Sequence, residues 1–237
     1  MKKIAVILGG CGTKDGSEIN ETVIKEGYEG ITLVMDYLED INRELQAINS
    51  YLVVRKGDVV AYEGEQLTEQ IKALGIVSDD IITVNMSLKS IGKIDNSEKT
   101  TAEVFIDAAR DAVSDGLLII PAHTYSNIRE GPVFNIRTTM PCIGAVPTVA
   151  VKMANEAYDR GDKSCVRSFH VSHSVVAFGK KAYEYTADDA KAKTPAPYFG
   201  SYGKLERYNA KILLIGVDFR NNTFIHMIDE YFAPEEL

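Results

Sequence analysis

Lys211-Ile212-Leu213-Leu214-Ile215-Gly216-Val217 is an unbroken apolar run closed by a glycine, too short for a helix and without a polar face. Such a run reads as a strand buried on both faces, the pattern of an inner strand in a helix-covered sheet. Three further stretches share it. Ile81 to Val84 is one, Leu117 to Ile120 stopped by Pro121 is another, and Ser174 to Phe178 stopped by Gly179 is the third. Lys3 to Leu8, closed by Gly9-Gly10, reads as a first strand.

Helical periodicity lies between them. Ile31, Val34, Leu38, Ile41, Leu45 and Ile48 recur at spacings of three and four, predicting a helix from Ile31 to Asn49. Leu67 to Leu74 is a short helix stopped by Gly75. Thr100 to Val113, Val146 to Ala157 and Thr223 to Tyr231 follow, the last with Asn222 placed to cap it. Tyr51 to Arg55 and Asp58 to Tyr62 flank Lys56-Gly57 as a hairpin. Strands that alternate with helices predict an α/β fold, a three-layer-like sheet with flanking helices. Arg129 to Pro141 and Thr186 to Tyr208 lack periodicity and read as long loops, which in a compact domain are often functional.

The 237 residues carry a net charge of −8, which disfavours nucleic acid as a partner, since phosphate binding needs a basic face, and suits a cationic small molecule. No run approaches the ~18 apolar residues of a membrane span. Met1 to Leu8 is too short for a signal peptide, so a cytoplasmic protein is expected. Cys11, Cys142 and Cys165 form neither a disulfide framework nor a zinc ribbon, and no metal is expected.

Four histidines bound the chemistry: His123, His170, His173 and His226. His170-Val-Ser-His173-Ser174 stands just ahead of a predicted buried strand. A half-buried histidine there can hold its proton affinity near working pH, as a general base requires, although a lone histidine bonded to backbone is the commoner case. Asp218 to Glu230 follows the strand Lys211 to Val217, and ligands of open α/β sheets collect beyond the carboxyl ends of strands. Asn222 and Thr223 would open a helix there, and His226 and Asp229 share one of its faces. Ser87-Leu-Lys-Ser90-Ile-Gly92 follows the strand Ile81 to Val84 as a turn able to hold a pyrophosphate, with Lys89 or Lys93 adding charge.

Leu67 to Gly75, Ser87 to Gly92, Gly116-Leu-Leu-Ile-Ile-Pro-Ala-His-Thr-Tyr-Ser126, Pro132-Val-Phe-Asn135, Arg167-Ser-Phe-His-Val-Ser-His-Ser174 and Lys211 to Glu230 occur in one order. As an ordered set, from about Leu67 to Glu230, they resemble the aminoglycoside 3-N-acetyltransferase family. The resemblance implies acetyl-CoA as donor substrate, an amine of an aminoglycoside or similar cationic molecule as acceptor, and direct transfer without a covalent acetyl-enzyme. It implies His173, or its neighbour His170, as base, and Asp229 or Asp218 as the carboxylate that orients a histidine. Ser87, Ser90 and Gly92 would line the coenzyme, with Thr124, Ser126, Asn222 and Thr223 as further contacts.

The sequence departs from the family's pattern in places. Val171 and Ser172 replace Pro and Thr of the usual His-Pro-Thr-His-Ser, and Asn85-Met86 replace His-Ser ahead of Ser87. The family continues beyond the final motif, so the domain is expected to be C-terminally shortened. Residues 1–62 are expected to be an N-terminal extension and 63–237 the acetyltransferase-like domain. Within the extension, Met1 to Gly12 with Asp15 to Asn20 is similar to the start of the glyoxalase-like proteins of the class I glutamine-amidotransferase-like superfamily. Two rival readings are a non-catalytic, CoA-binding relative and a metal hydrolase built on the four histidines.

Overall fold

Apolar runs become the strands of one sheet. The computed structural model of the protein describes residues 4–7, 64–91, 98–125 and 133–232. The strands are β1 (Ile4–Ile7), β2 (Ile81–Met86), β3 (Leu117–Pro121), β4 (Cys165–Arg167), β5 (Val175–Phe178) and β6 (Lys211–Ile215), in the order β1-β6-β2-β3-β5-β4. β1, β6, β2 and β3 run parallel, and β5 is antiparallel to β3 and β4. Ile4–Ile7, within the segment assigned to the extension, therefore pairs along its length with β6. The predicted helix Ile31 to Asn49 and the hairpin Tyr51 to Tyr62 lie outside the described residues, as do Gly92 and Ser126.

Helices cover both faces, which is why the inner strands are mostly apolar, with Thr83 and Asn85 of β2 the buried polar exceptions. Alternate residues Ile82, Val84, Leu118, Ile120, Val176, Phe178, Leu213 and Ile215 meet α1 (Gly64–Ala73), α2 (Thr101–Ala112) and α3 (Ala145–Asp159). The other set, Leu117, Ile119, Val175 and Ala177, meets α4 (Ala182–Thr186), α5 (Ser201–Arg207) and α6 (Ile225–Phe232). α1 ends at Gly75, whose φ of +83° suits a residue without a Cβ. α2 opens on a capping box. Thr100 Oγ1 accepts from the Glu103 N–H at 3.3 Å, and Glu103 accepts from the Thr100 N–H at 2.7 Å.

The segment Thr186 to Tyr208 is more ordered than its composition predicts. It holds a 3-10 turn, Ala187–Lys191, and the helix α5. The pattern was hidden because α5 has only seven residues and carries Gly203 in its middle. A Cβ at Gly203 would lie 1.9 Å from the Tyr198 carbonyl oxygen, so close packing of the chain on itself selects glycine there.

Candidate active site

β5 runs against its neighbours, and this direction builds the site. The carboxyl ends of β6, β2 and β3 and the amino end of β5 all lie at one edge of the sheet. Pro121 pairs with Val175, and the pairing continues beyond the strands. The Ala122 N–H donates to Ser174 O and the Thr124 N–H to Ser172 O, both at 2.8 Å. His123 is thereby set opposite His173, and their rings lie 4.7 Å apart. The first turn of α6, after β6 at the same edge, adds His226, whose ring is 4.8 Å from His173 and 5.8 Å from His123. His173 and the helix after Asn222 do converge, although about fifty residues separate them. A strand entrance and strand exits share an edge because β5 is reversed.

Hydrogen bonds fix the rings. His170 Nδ1 accepts from the N–H groups of Ser172 at 3.2 Å and His173 at 2.8 Å, which leaves Nε2–H to donate to Thr194 O at 3.0 Å. Both His170 nitrogens thus serve the loop backbone, and Glu230 on α6 holds the same stretch by accepting from Thr194 Oγ1 and the Ala196 N–H. His173 Nδ1 lies 2.8 Å from Ser172 Oγ. His123 Nε2 lies 2.8 Å from the buried Tyr202 hydroxyl, and His123 Nδ1 is buried with no partner. Burial, then the neighbouring His226 and His170, push His173 down to about 3. Burial and the other three histidines push His123 well below the ordinary value. Burial also lowers His226, partly offset by the Asp229 carboxylate. At neutral pH these three imidazoles are uncharged.

The loop is anchored from below. Arg167 at the end of β4 is buried, lowered to about 10 by that burial, and lies over the Phe134 ring. It donates to Ile136 O at 2.9 Å and Thr139 O at 2.6 Å, tying residues 134–139 to the hairpin that carries the histidines. Buried Asp189, raised by desolvation, accepts from the N–H and hydroxyl of Ser201 and starts α5, which carries Tyr202.

A cleft of about 260 Å³ opens at this edge. Val84, Asn85, Met86, Ile120 and Pro121 from the strand ends line it, and Tyr125 and His226 form the wall towards His173. The start of α3 closes another side. Gly144 caps it at φ +60°, and among the described residues no capping side chain bonds its first N–H groups. Asn85 is 8% exposed, and its Nδ2 has no partner.

The predicted site residues divide. Asn222 and Thr223 line the cleft, but Asn222 does not cap α6; its Oδ1 accepts from the Phe224 N–H at 3.1 Å as a local turn, and the helix begins at Ile225. Asp218 orients no histidine in this structure, because the 3-10 turn Phe219–Asn221 brings Arg220 back onto its carboxylate. Asp229 is exposed and touches the cluster only through its field on His226. The Ser87 N–H, expected to face a phosphate, is used by Ile215 O at 2.9 Å, and the residues after it form one helical turn, Leu88–Ile91, that includes Ser90. Thr124 is fully buried and donates to Val171 O at 2.6 Å, supporting the histidine loop. His123 and His226 stand among the four histidines and as ligands of the rival metal reading, but have no part in the acetyltransferase site expected from sequence; Tyr125, Tyr202 and Asn85 have no role there.

Among the described residues, no helix is long and apolar enough to cross a membrane. A protein-family model for aminoglycoside 3-N-acetyltransferase matches residues 83–236. The chain is 26% identical over 182 residues to the SPbeta prophage-derived aminoglycoside N(3')-acetyltransferase-like protein YokD of Bacillus subtilis (strain 168), covering 72% of this chain and 65% of that protein. The crystal structure of YokD superposes with a TM-score of 0.57 at 24% identity, over 73% of this chain and 71% of that one. The aminoglycoside acetyltransferase AAC(3)-IVa apoenzyme gives 0.61 at 21% identity over 74% and 62%, and the binary complex of AAC-IIIb with CoASH gives 0.56 at 20% over 73% and 66%. With the family model spanning β3 to β6, most of β2 and the histidine edge, this chain belongs to the aminoglycoside 3-N-acetyltransferase family.

Proposed function

We propose that this chain moves an acetyl group from acetyl-CoA directly to an amine of an aminoglycoside or similar cationic small molecule, in the cytoplasm, with His173 as general base. The observation that carries the proposal is the contact of His173 with His226, which with the start of α6 lines the cleft. An ammonium has no lone pair at neutral pH, so a base must take its proton as it meets the thioester carbonyl. His173 Nδ1 can donate to Ser172 Oγ, which leaves Nε2 as acceptor; because burial holds the ring near 3 in the free protein, catalysis requires that substrate binding raise its proton affinity towards working pH. His226 and Tyr125 meet the acceptor first, at the cleft wall. The N–H groups at the start of α3, with Asn85, Asn222 and Thr223, supply donors for the coenzyme's carbonyl or phosphate oxygens and for the developing oxyanion. The net charge of −8 favours approach of a polycation.

The test is turnover of acetyl-CoA across a panel of aminoglycosides and simpler amines, read by thiol release. His173→Ala should lower kcat about a hundred-fold, within the usual range for a general base. His226→Ala should act mainly on KM for the amine. Silence of the wild-type protein across the panel, or an unaffected His173→Ala enzyme, overturns the proposal; coenzyme binding without turnover would mark a non-catalytic relative.

A further inference from the structure

His123, His173 and His226 come from three separate elements, and one nitrogen from each falls within 4.8 Å of the others. The outer contacts of His123 and His173 match those of metal-bound imidazoles, in which the ring nitrogen away from the ion is held by a hydrogen bond that sets tautomer and orientation. Tyr202 Oη holds His123 Nε2 and Ser172 Oγ holds His173 Nδ1, both at 2.8 Å. His123 Nδ1 and His173 Nε2 are the nitrogens left over by these two contacts. His123 Nδ1 in particular is fully buried with no protein partner, an arrangement that costs free energy unless something else meets it. We propose that these three histidines form a three-nitrogen site for a divalent transition metal of the zinc class, with a fourth position towards the cleft, and that metal occupancy and acetyl transfer exclude one another.

The donor set chooses the metal. Three imidazoles with no carboxylate among them suit zinc, cobalt, nickel or copper and do not suit magnesium or calcium, which take oxygen. Zinc–nitrogen bonds of about 2.0–2.1 Å in a tetrahedral site place the nitrogens roughly 3.4 Å apart. The ion would therefore draw the three rings inwards by about an ångström, and half-buried His226, on the first turn of α6 at the cleft wall, is the ring with room to move. Exclusion follows because the ion would occupy the lone pair through which His173 accepts a proton; this half rests on the function proposed above.

The decisive experiment is a titration of the full-length, chelator-treated protein with Co2+, read by visible d–d absorption, with competition by Zn2+. One ion per chain with the intense bands of four- or five-coordination is expected. His226→Gln should weaken binding at least ten-fold while circular dichroism stays unchanged, and His123→Gln should do the same if it folds. Tyr202→Phe and Ser172→Ala, which touch no ion, should each cost about 10–100-fold in affinity through the outer contacts. Cys142→Ser, next to the cluster through Sγ to His123 O at 3.2 Å, should bind as the parent does. No saturable spectrum, or affinity indifferent to His226→Gln, overturns the site. In the second arm, Zn2+ should inhibit acetyl transfer with the midpoint of its binding curve and chelator should restore it, followed by loss of the thioester because free thiol binds zinc itself. Binding without inhibition overturns the exclusion. Binding to a protein that transfers no acetyl group supports the site and counts against the acetyltransferase reading instead.

Discussion

Lowering the pH from 7.5 to 5.5 should destabilise this protein by about 3 kcal/mol, far more than ordinary surface carboxylates would produce in that range. An unfolded histidine titrates near 6.5, so each one that stays neutral in the native state costs about 1.4 kcal/mol over this interval, when the unfolded chain takes up a proton that the native chain refuses. His123 and His173 are both held down by burial, His173 to about 3, so two such contributions are expected, and His226 adds part of a third. The direction follows from the depressed native values. Stability is full above about pH 6.5, falls as the pH drops through that value, and for His173 stops falling only near pH 3, where the native ring also takes a proton. Buried Asp189 works in the opposite sense, because its raised native value makes acid less costly, and Asp189→Asn removes that term.

The assay is urea unfolding at half-unit pH steps in the presence of chelator, with ΔG extrapolated at each pH. His173→Gln, which cannot titrate, should cut the pH-dependent loss by about half. In the native protein, the imidazole C–H resonances of His123 and His173 should hold still in NMR spectra between pH 7.5 and 5.5. Stability that is flat over this range, or a slope unchanged in His173→Gln, would mean that the cluster is protonated in the fold and that the neutral three-histidine arrangement is wrong.

Other substitutions probe the frame. A Cβ at Gly116 would lie 1.8 Å from Asp80 O, beside the bond from the Leu117 N–H to that same oxygen, so Gly116→Ala should cost at least about 2 kcal/mol in urea unfolding. Thr100→Ala breaks the capping box of α2 and should cost about 1 kcal/mol with no change in turnover. His170→Ala removes three bonds to the loop backbone and should lower stability by about 2 kcal/mol while reducing kcat much less than His173→Ala does. Asn85→Leu removes an unpartnered buried amide, so it should stabilise the free protein slightly and raise KM for acetyl-CoA.

Strands and helices were legible where local sequence decides them. Leu117 to Pro121 is buried at every position, so an unbroken apolar run was its natural signature, and Gly75 and Gly179 stop their elements at positive φ. β4 escaped notice because Cys165–Arg167 is three residues long and ends in a buried arginine whose partners are carbonyls far away in sequence. α5 escaped because a seven-residue helix gives too little periodicity to count. Strand direction was not legible either. Val175-Val-Ala-Phe178 is apolar on both faces, and a run that is buried on both sides carries no mark of whether it pairs parallel or antiparallel.

That missing direction is also why the site was only half legible. His170 and His173 drew notice as two histidines beside a serine ahead of a strand, and the resemblance gave them a role. His123 and His226 stand fifty or more residues from His173, and only the antiparallel register 121↔175, continued by two bonds past the strand ends, makes His123 its neighbour. Asp218 entered as a candidate through the resemblance, as a carboxylate beyond β6 that could orient a histidine. A 3-10 turn intervenes, folds Arg220 onto Asp218, and delays the helix until Ile225, so that His226 rather than Asp218 reaches the histidines. Buried, neutral imidazoles gathered at one strand edge are a tertiary product of a reversed strand and a delayed helix, and neither is written in the spacing of the residues that form them.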